Sequence, residues 1–90
     1  MSNAVFIAFQ ANDETRSIIE AIGNDNPNAS IVRYPAMVKI DAPGRLVVKR
    51  ETIEGITGMD FDLQSFHVNL VSLSGNIDET EDELTLEWKQ

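Results

Sequence analysis

Met37-Val-Lys-Ile-Asp-Ala-Pro-Gly-Arg-Leu-Val-Val-Lys49 decides the fold of this 90-residue chain. Val38 and Ile40 alternate with Lys39 and Asp41, the period of a strand with one buried and one wet face. Ala42-Pro-Gly44 is a tight-turn signal, and Arg45 to Lys49 returns with Leu46 and Val48 on one side. Two strands running back to back through a turn make the framework a largely antiparallel sheet.

Upstream, Ala4 to Gln10 is rich in Val, Phe and Ile and reads as a strand. Asn12 is a good N-cap, and Asp13 and Glu14 follow in the first turn, where the helix dipole favours negative charge. Ile18, Ile19 and Ile22 form one apolar stripe and Gly23 can supply a left-handed C-cap, so a helix is expected over about residues 13 to 22. Asn24-Asp-Asn-Pro-Asn28 is a loop by composition. Ser30 to Tyr34 is a further strand, stopped by Pro35. Tyr34-Pro-Ala-Met37 is a bend between strands or an exposed apolar contact, with Met37 expected in the core.

Downstream, Glu51 to Thr57 places Ile53 and Ile56 three apart around an internal Gly55, a weak helix. Asp62 can cap a second short helix that turns Leu63 and Phe66 inward. Val68 to Leu73 is a nearly continuous strand, and Gly75-Asn-Ile-Asp78 with the acidic run after it reads as the connection. Leu84, Leu86 and Trp88 then alternate with Thr85, Glu87 and Lys89 as an amphipathic strand. Phe66 and Trp88 are expected in the core. The order is β-α-β-β-β-α-α-β-β, one α+β domain over residues 1–90 with helices packed on the sheet.

Composition narrows the function. Ninety residues support one core, and an apolar share of 42% with alternating pattern is that of a folded domain. The absence of cysteine removes disulfides and thiolate chemistry. No apolar run approaches the roughly 20 residues that span a bilayer, and the first residues lack the basic start and apolar core of a signal peptide. A cytoplasmic location is the expectation. The net charge of −8 disfavours nucleic acid and anionic lipid; it suits either steering toward a basic protein surface or a solvated face that only keeps the protein soluble. Five of the six residues from Asp78 to Glu83 are acidic, whereas Lys39, Arg45, Lys49 and Arg50 cluster mid-chain.

Catalytic signatures are missing. His67 is the single histidine, so no His pair can bind zinc or non-haem iron, and a lone His beside an apolar strand is read as structural. There is no G-x-S-x-G, G-x-G-x-x-G or P-loop pattern. The acidic run lacks the sixth-position glycine and closing glutamate of an EF-hand. Phe6, Phe9, Phe61, Phe66, Tyr34 and Trp88 are too scattered for a base-stacking platform. Ser72 to Ile77, where a strand ends in small polar residues and a glycine, reads as a hairpin loop or as something more specific.

Several segments taken in order carry a family resemblance. They are Phe6-Ile-Ala-Phe-Gln10 with Asn12-Asp13, Ile19-Glu-Ala-Ile22, Asp25-Asn-Pro27, the block from Tyr34 to Ala42, Arg50-Glu-Thr52, and Gly75-Asn76 through Trp88. Together, over nearly the whole chain, they resemble the effector (coupling) component of bacterial soluble multicomponent monooxygenases, nearest the phenol hydroxylase branch. The resemblance implies a protein with no cofactor of its own that is not itself the enzyme. It would dock in a canyon on a dimeric hydroxylase, over helices that hold a carboxylate-bridged diiron centre, and couple reductant use to substrate hydroxylation. Electrons would come from a separate reductase carrying FAD and a 2Fe-2S cluster. Mapped from related effectors, the hydroxylase-facing residues are Asn69, Val71, Ser72, Leu73, Ser74, Gly75 and Asn76. Val71 and Leu73 are apolar where methane-oxidising relatives carry small hydroxyl residues, which implies packing there. The long N-terminal tail of those relatives has no counterpart.

Two other classes stand beside this reading. A stand-alone small-ligand-binding α+β domain predicts a ligand-dependent melting shift with no hydroxylase present. A cofactor-free enzyme using carboxylates, such as an isomerase of ring-cleavage products, predicts turnover by the isolated chain.

Overall fold

In the computed structural model, which describes residues 4–88, the alternation of the Met37–Lys49 stretch runs through its turn without a break. Val38, Ile40, Ala42, Leu46 and Val48 are all buried, so every even position faces inward across Gly44. An unbroken parity belongs to one long strand that bends, not to a hairpin. The bend divides it into β3 (Met37–Pro43) and β4 (Arg45–Lys49), which lie in different sheets. Gly44 makes the corner with φ 76°, a left-handed value that suits glycine.

The other elements are β1 (Ala4–Gln10), α1 (Asp13–Asp25), β2 (Ser30–Arg33), α2 (Arg50–Thr57), a 3-10 stretch (Leu63–Asn69), β5 (Leu70–Ser74), β6 (Asn76–Glu79) and β7 (Glu83–Glu87). One sheet is four-stranded, in the order β2-β3-β1-β5, and the other three-stranded, in the order β4-β7-β6. All the pairings are antiparallel. The expected α+β architecture holds, with the sheet divided in two and one strand more than the sequence reading gave. That strand, β6, lies in the stretch read as a connection. Its four residues are exposed, and the ladder to β7 (Ile77 opposite Leu86) holds it without a buried side chain of its own.

The core lies between the sheets and the two helices. Val5, Ile7 and Phe9 enter it from β1, Ile18, Ile19 and Ile22 from α1, Ile53 from α2, and Leu84 and Leu86 from β7. Phe66 is buried as expected and meets Phe9 edge to face, with ring centroids 4.7 Å apart. Such a pair adds about 0.5–1.5 kcal/mol beyond area burial.

Helix α1 is longer than expected. Gly23 keeps a helical φ and is passed over, and the chain leaves the helix at Asn26. The reason is the Asn26 side chain. Its Nδ2 donates to Ile22 O at 2.7 Å and to Val47 O at 2.7 Å, while Val47 N–H donates to its Oδ1 at 2.9 Å. The carboxamide pairs with β4 as a neighbouring strand would, on the side of β4 away from β7.

Two core expectations, Trp88 and Met37, and one strand boundary are corrected. Trp88 is 46% exposed, because the ladder ends with Arg45 opposite Glu87 and leaves nothing to cover it. Its Nε1 donates to Ala4 O at 3.0 Å. Val68, expected in a strand, belongs to the 3-10 stretch and is 74% exposed, so β5 starts only at Leu70. Met37 is half-buried and Tyr34 exposed, and Tyr34 N–H donates to Met37 O at 2.8 Å across the bend. Lys89, the last member of the expected alternation, lies outside the described residues.

Candidate docking strip

Strand β5 sits at the edge of its sheet and pairs there with β1 alone. Its register is Phe6 opposite Ser74, Ile7 opposite Leu73, Ala8 opposite Ser72 and Phe9 opposite Leu70. The irregularity between Ala8 and Phe9 leaves Val71 without a ladder partner, and the bulge turns it outward, 51% exposed. Leu70 and Leu73 lean against the core. Ser72 and Ser74 share the other face with Phe6 and Ala8. On that face Lys39 Nζ lies 4.5 Å from the Phe6 ring centroid and 3.5 Å from Asp41 Oδ1.

The seven residues expected to face a partner are brought together on this strip but differ in access. Val71, Ser72 and Asn76 are exposed, and Leu73, Ser74 and Gly75 are half-buried. Asn69 is 6% exposed, and its Oδ1 accepts from Asn12 Nδ2 at 3.0 Å. The same Asn12 caps α1 by accepting from Thr15 N–H at 3.0 Å, so the start of the strip is fixed to the start of the helix. Val68 was not among the expected residues, although it is the most exposed large apolar side chain here. The signal was present in the i, i+3 spacing of Leu63 and Phe66, which turns Val68 away from the core.

At its far end the strip turns between sheets through Gly75, so Ser72 to Ile77 is a sheet-to-sheet corner and not a hairpin loop. Gly75 has φ 132°, and a methyl group there would sit 2.9 Å from Val5 Cγ1. Val5 is wholly buried and cannot swing away. Gly75→Ala is therefore expected to lower the unfolding free energy by about 1–3 kcal/mol, read from urea titration of the isolated chain. An unchanged midpoint would mean that the corner is free to adjust.

Electrostatically the strip is bordered by acid. His67 Nε2 donates to Glu79 Oε1 at 3.0 Å, tying the 3-10 stretch to β6. Arg45 pairs with Glu87 at 3.8 Å, and Arg50 with Asp82 at 3.2 Å and Glu54 at 3.7 Å. These exposed pairs contribute little to stability, but they set mid-chain cations against the chain's own carboxylates. Among the described residues no group of three or more His, Asp or Glu side chains is placed to hold a metal ion, and no helix is long and apolar enough to cross a membrane.

The strip is thus a preformed sheet edge with a bulge, an apolar side chain turned outward and a glycine corner behind it, on a single α+β domain. The chain belongs to the MmoB/DmpM family, which it matches over residues 3–87. It is 46% identical over 89 residues to the phenol 2-monooxygenase stimulatory component DmpM of Pseudomonas sp. (strain CF600), covering 99% of both chains. Its fold superposes with a TM-score of 0.91 on a chain of a phenol hydroxylase–regulatory protein complex, at 46% identity and covering 96% of this chain and 99% of that one. The soluble methane monooxygenase regulatory protein B shares the fold at a TM-score of 0.76 and 22% identity, over 99% of this chain and 67% of that one.

Proposed function

We propose that this chain is the regulatory component of a multicomponent phenol monooxygenase. It docks on a dimeric diiron hydroxylase and couples electron transfer and oxygen activation there to substrate hydroxylation. The observation that carries this reading is the end-to-end match, at 46% identity, to a stimulatory component of phenol 2-monooxygenase. The strip from Asn69 to Asn76 is the docking element, with Val71, Ser72, Ser74 and Asn76 in contact and Asn69 and Gly75 holding the strand in shape. The iron belongs to the hydroxylase, and FAD and a 2Fe-2S cluster to the reductase that supplies electrons. The assembly is cytoplasmic and involves neither nucleic acid nor membrane.

The mechanism is a population shift. An effector stabilises the hydroxylase conformation it binds better by its difference in affinity for the two states, and a 100-fold preference supplies about 2.7 kcal/mol. No group on the effector need touch the substrate.

The test is a titration of this chain into a purified phenol-type hydroxylase with its reductase, following aromatic hydroxylation. Product should rise to a plateau near one copy per active site. No stimulation of a cognate hydroxylase would overturn the reading.

A further inference from the structure

Stable protein interfaces engage roughly 20–30 residues on each side, several times what the strip from Asn69 to Asn76 offers. The docking surface therefore extends beyond it, and the exposed apolar side chains mark a direction. Among the described residues the three most exposed large ones are Val68 at 74%, Met59 at 69% and Val71 at 51%. Val71 belongs to the strip and Val68 stands just before it, in the 3-10 stretch. Met59 stands on the lip of a cleft of about 350 Å³ between the first turns of α1 and the segment after α2.

The cleft is built for contact. Ile18, Ile53 and Phe61 contribute its apolar wall, while Asp13, Glu14 and Asp60 stand around it. Met59 is held out rather than left loose. Gly58 N–H donates to Glu54 O at 2.8 Å in a left-handed C-cap that ends α2. Met59 N–H then donates to Thr57 Oγ1 at 3.2 Å, and Phe61 N–H to Glu54 Oε2 at 2.8 Å. A methionine fixed in this way offers an adaptable apolar contact on a backbone that needs no further ordering on binding. The cleft also joins the strip, since Asp13 directly follows Asn12, whose side chain bonds Asn69.

Apolar walls with a carboxylate rim fit one chemistry, an apolar side chain flanked by cations. Asp13 pairs with Arg16 at 3.3 Å, but both side chains are at least 80% exposed, and such a pair leaves the rim attractive to a further cation. We propose that this cleft receives an apolar side chain flanked by Lys or Arg on the hydroxylase, so that docking is anchored along a surface from Met59 to Asn76. The inference rests on the docking function proposed above and adds its second anchor.

The experiment measures hydroxylase affinity, by titrating coupled turnover and by calorimetry, for the unsubstituted chain and for Met59→Ala, Asp60→Lys and Glu51→Lys. The first two should weaken binding about 10-fold, the effect of losing one well-packed interface contact. Glu51→Lys makes the same charge change on the exposed start of α2 and should alter affinity less than about 2-fold. Melting temperatures check that each variant is folded. Met59→Ala binding as tightly as the unsubstituted chain overturns the inference, as does equal weakening by Asp60→Lys and Glu51→Lys, which would mean diffuse steering. Loss of affinity for the reductase instead of the hydroxylase would assign the cleft another occupant and overturn it too. If the unsubstituted chain neither binds nor stimulates the hydroxylase, the docking function itself falls, an outcome told apart by that titration alone.

Discussion

Asn26→Ala is expected to lower the unfolding free energy by about 2–4 kcal/mol, because the substitution strips the Val47 N–H and C=O of the side chain that pairs with both. Asn26 is 9% exposed and makes contacts of 2.7, 2.7 and 2.9 Å with the backbone of Ile22 and Val47. Alanine would leave the Val47 N–H and C=O unsatisfied along the side of β4 that no strand covers. Ile22 O would keep the residue-26 backbone N–H at 3.0 Å and lose only the carboxamide bond, but the helix would lose its fastening to the three-stranded sheet. A chain of 90 residues has a total stability of roughly 5–13 kcal/mol. The loss is thus a large share, visible as a lower urea midpoint at unchanged slope and a lower melting temperature. Asn26→Asp separates the donor from the acceptor role, since the carboxylate can still accept from Val47 N–H but cannot donate to either carbonyl. It should lie near alanine. A loss below about 0.5 kcal/mol for alanine would mean that water replaces the carboxamide.

Asn26 also marks where the sequence was legible. Strands and helices with a buried stripe could be read from period alone: β1, β3, β4, β7 and the first turns of α1 stand where alternation or an i, i+3, i+4 stripe puts them. What period does not carry was missed. An asparagine in Asn24-Asp-Asn-Pro-Asn28 has the composition of any loop, and its partner Val47 is distant in sequence. The corner at Gly44 has the residues of a hairpin turn. The unbroken inward parity from Val38 to Val48 was the only sign that the strand bends between sheets. Strand β6 has no buried face, so no alternation could reveal it, and Trp88 keeps its alternation one residue beyond the ladder that would have buried it. In the docking strip the segment itself came from family likeness. The division into exposed residues and the buried Asn69 needed the β1 register and the Asn12 bond.

That division gives the docking function its sharpest test. Ser74→Arg is expected to weaken hydroxylase binding by roughly 30-fold or more while leaving the isolated chain folded. Ser74 stands opposite Phe6 on the sheet face away from the core, so a longer side chain can extend into solvent in the free protein. Against a partner the same guanidinium must be desolvated without a counterpart, and an unpaired buried charge at an interface costs about 2–5 kcal/mol. Asn76→Arg, just past the Gly75 corner, should act alike if the contact continues onto β6, and by less than about 3-fold if it stops at the corner. Turnover at limiting effector should fall with the occupied fraction, and added protein should restore it, because the substitution touches affinity rather than the chemistry in the hydroxylase. If Ser74→Arg activates at the wild-type midpoint, the outer face of β5 is not where the partner sits. The docking surface would then have to be sought on the other exposed edges, at Ile31 and Val32 of β2 or Ile77 of β6.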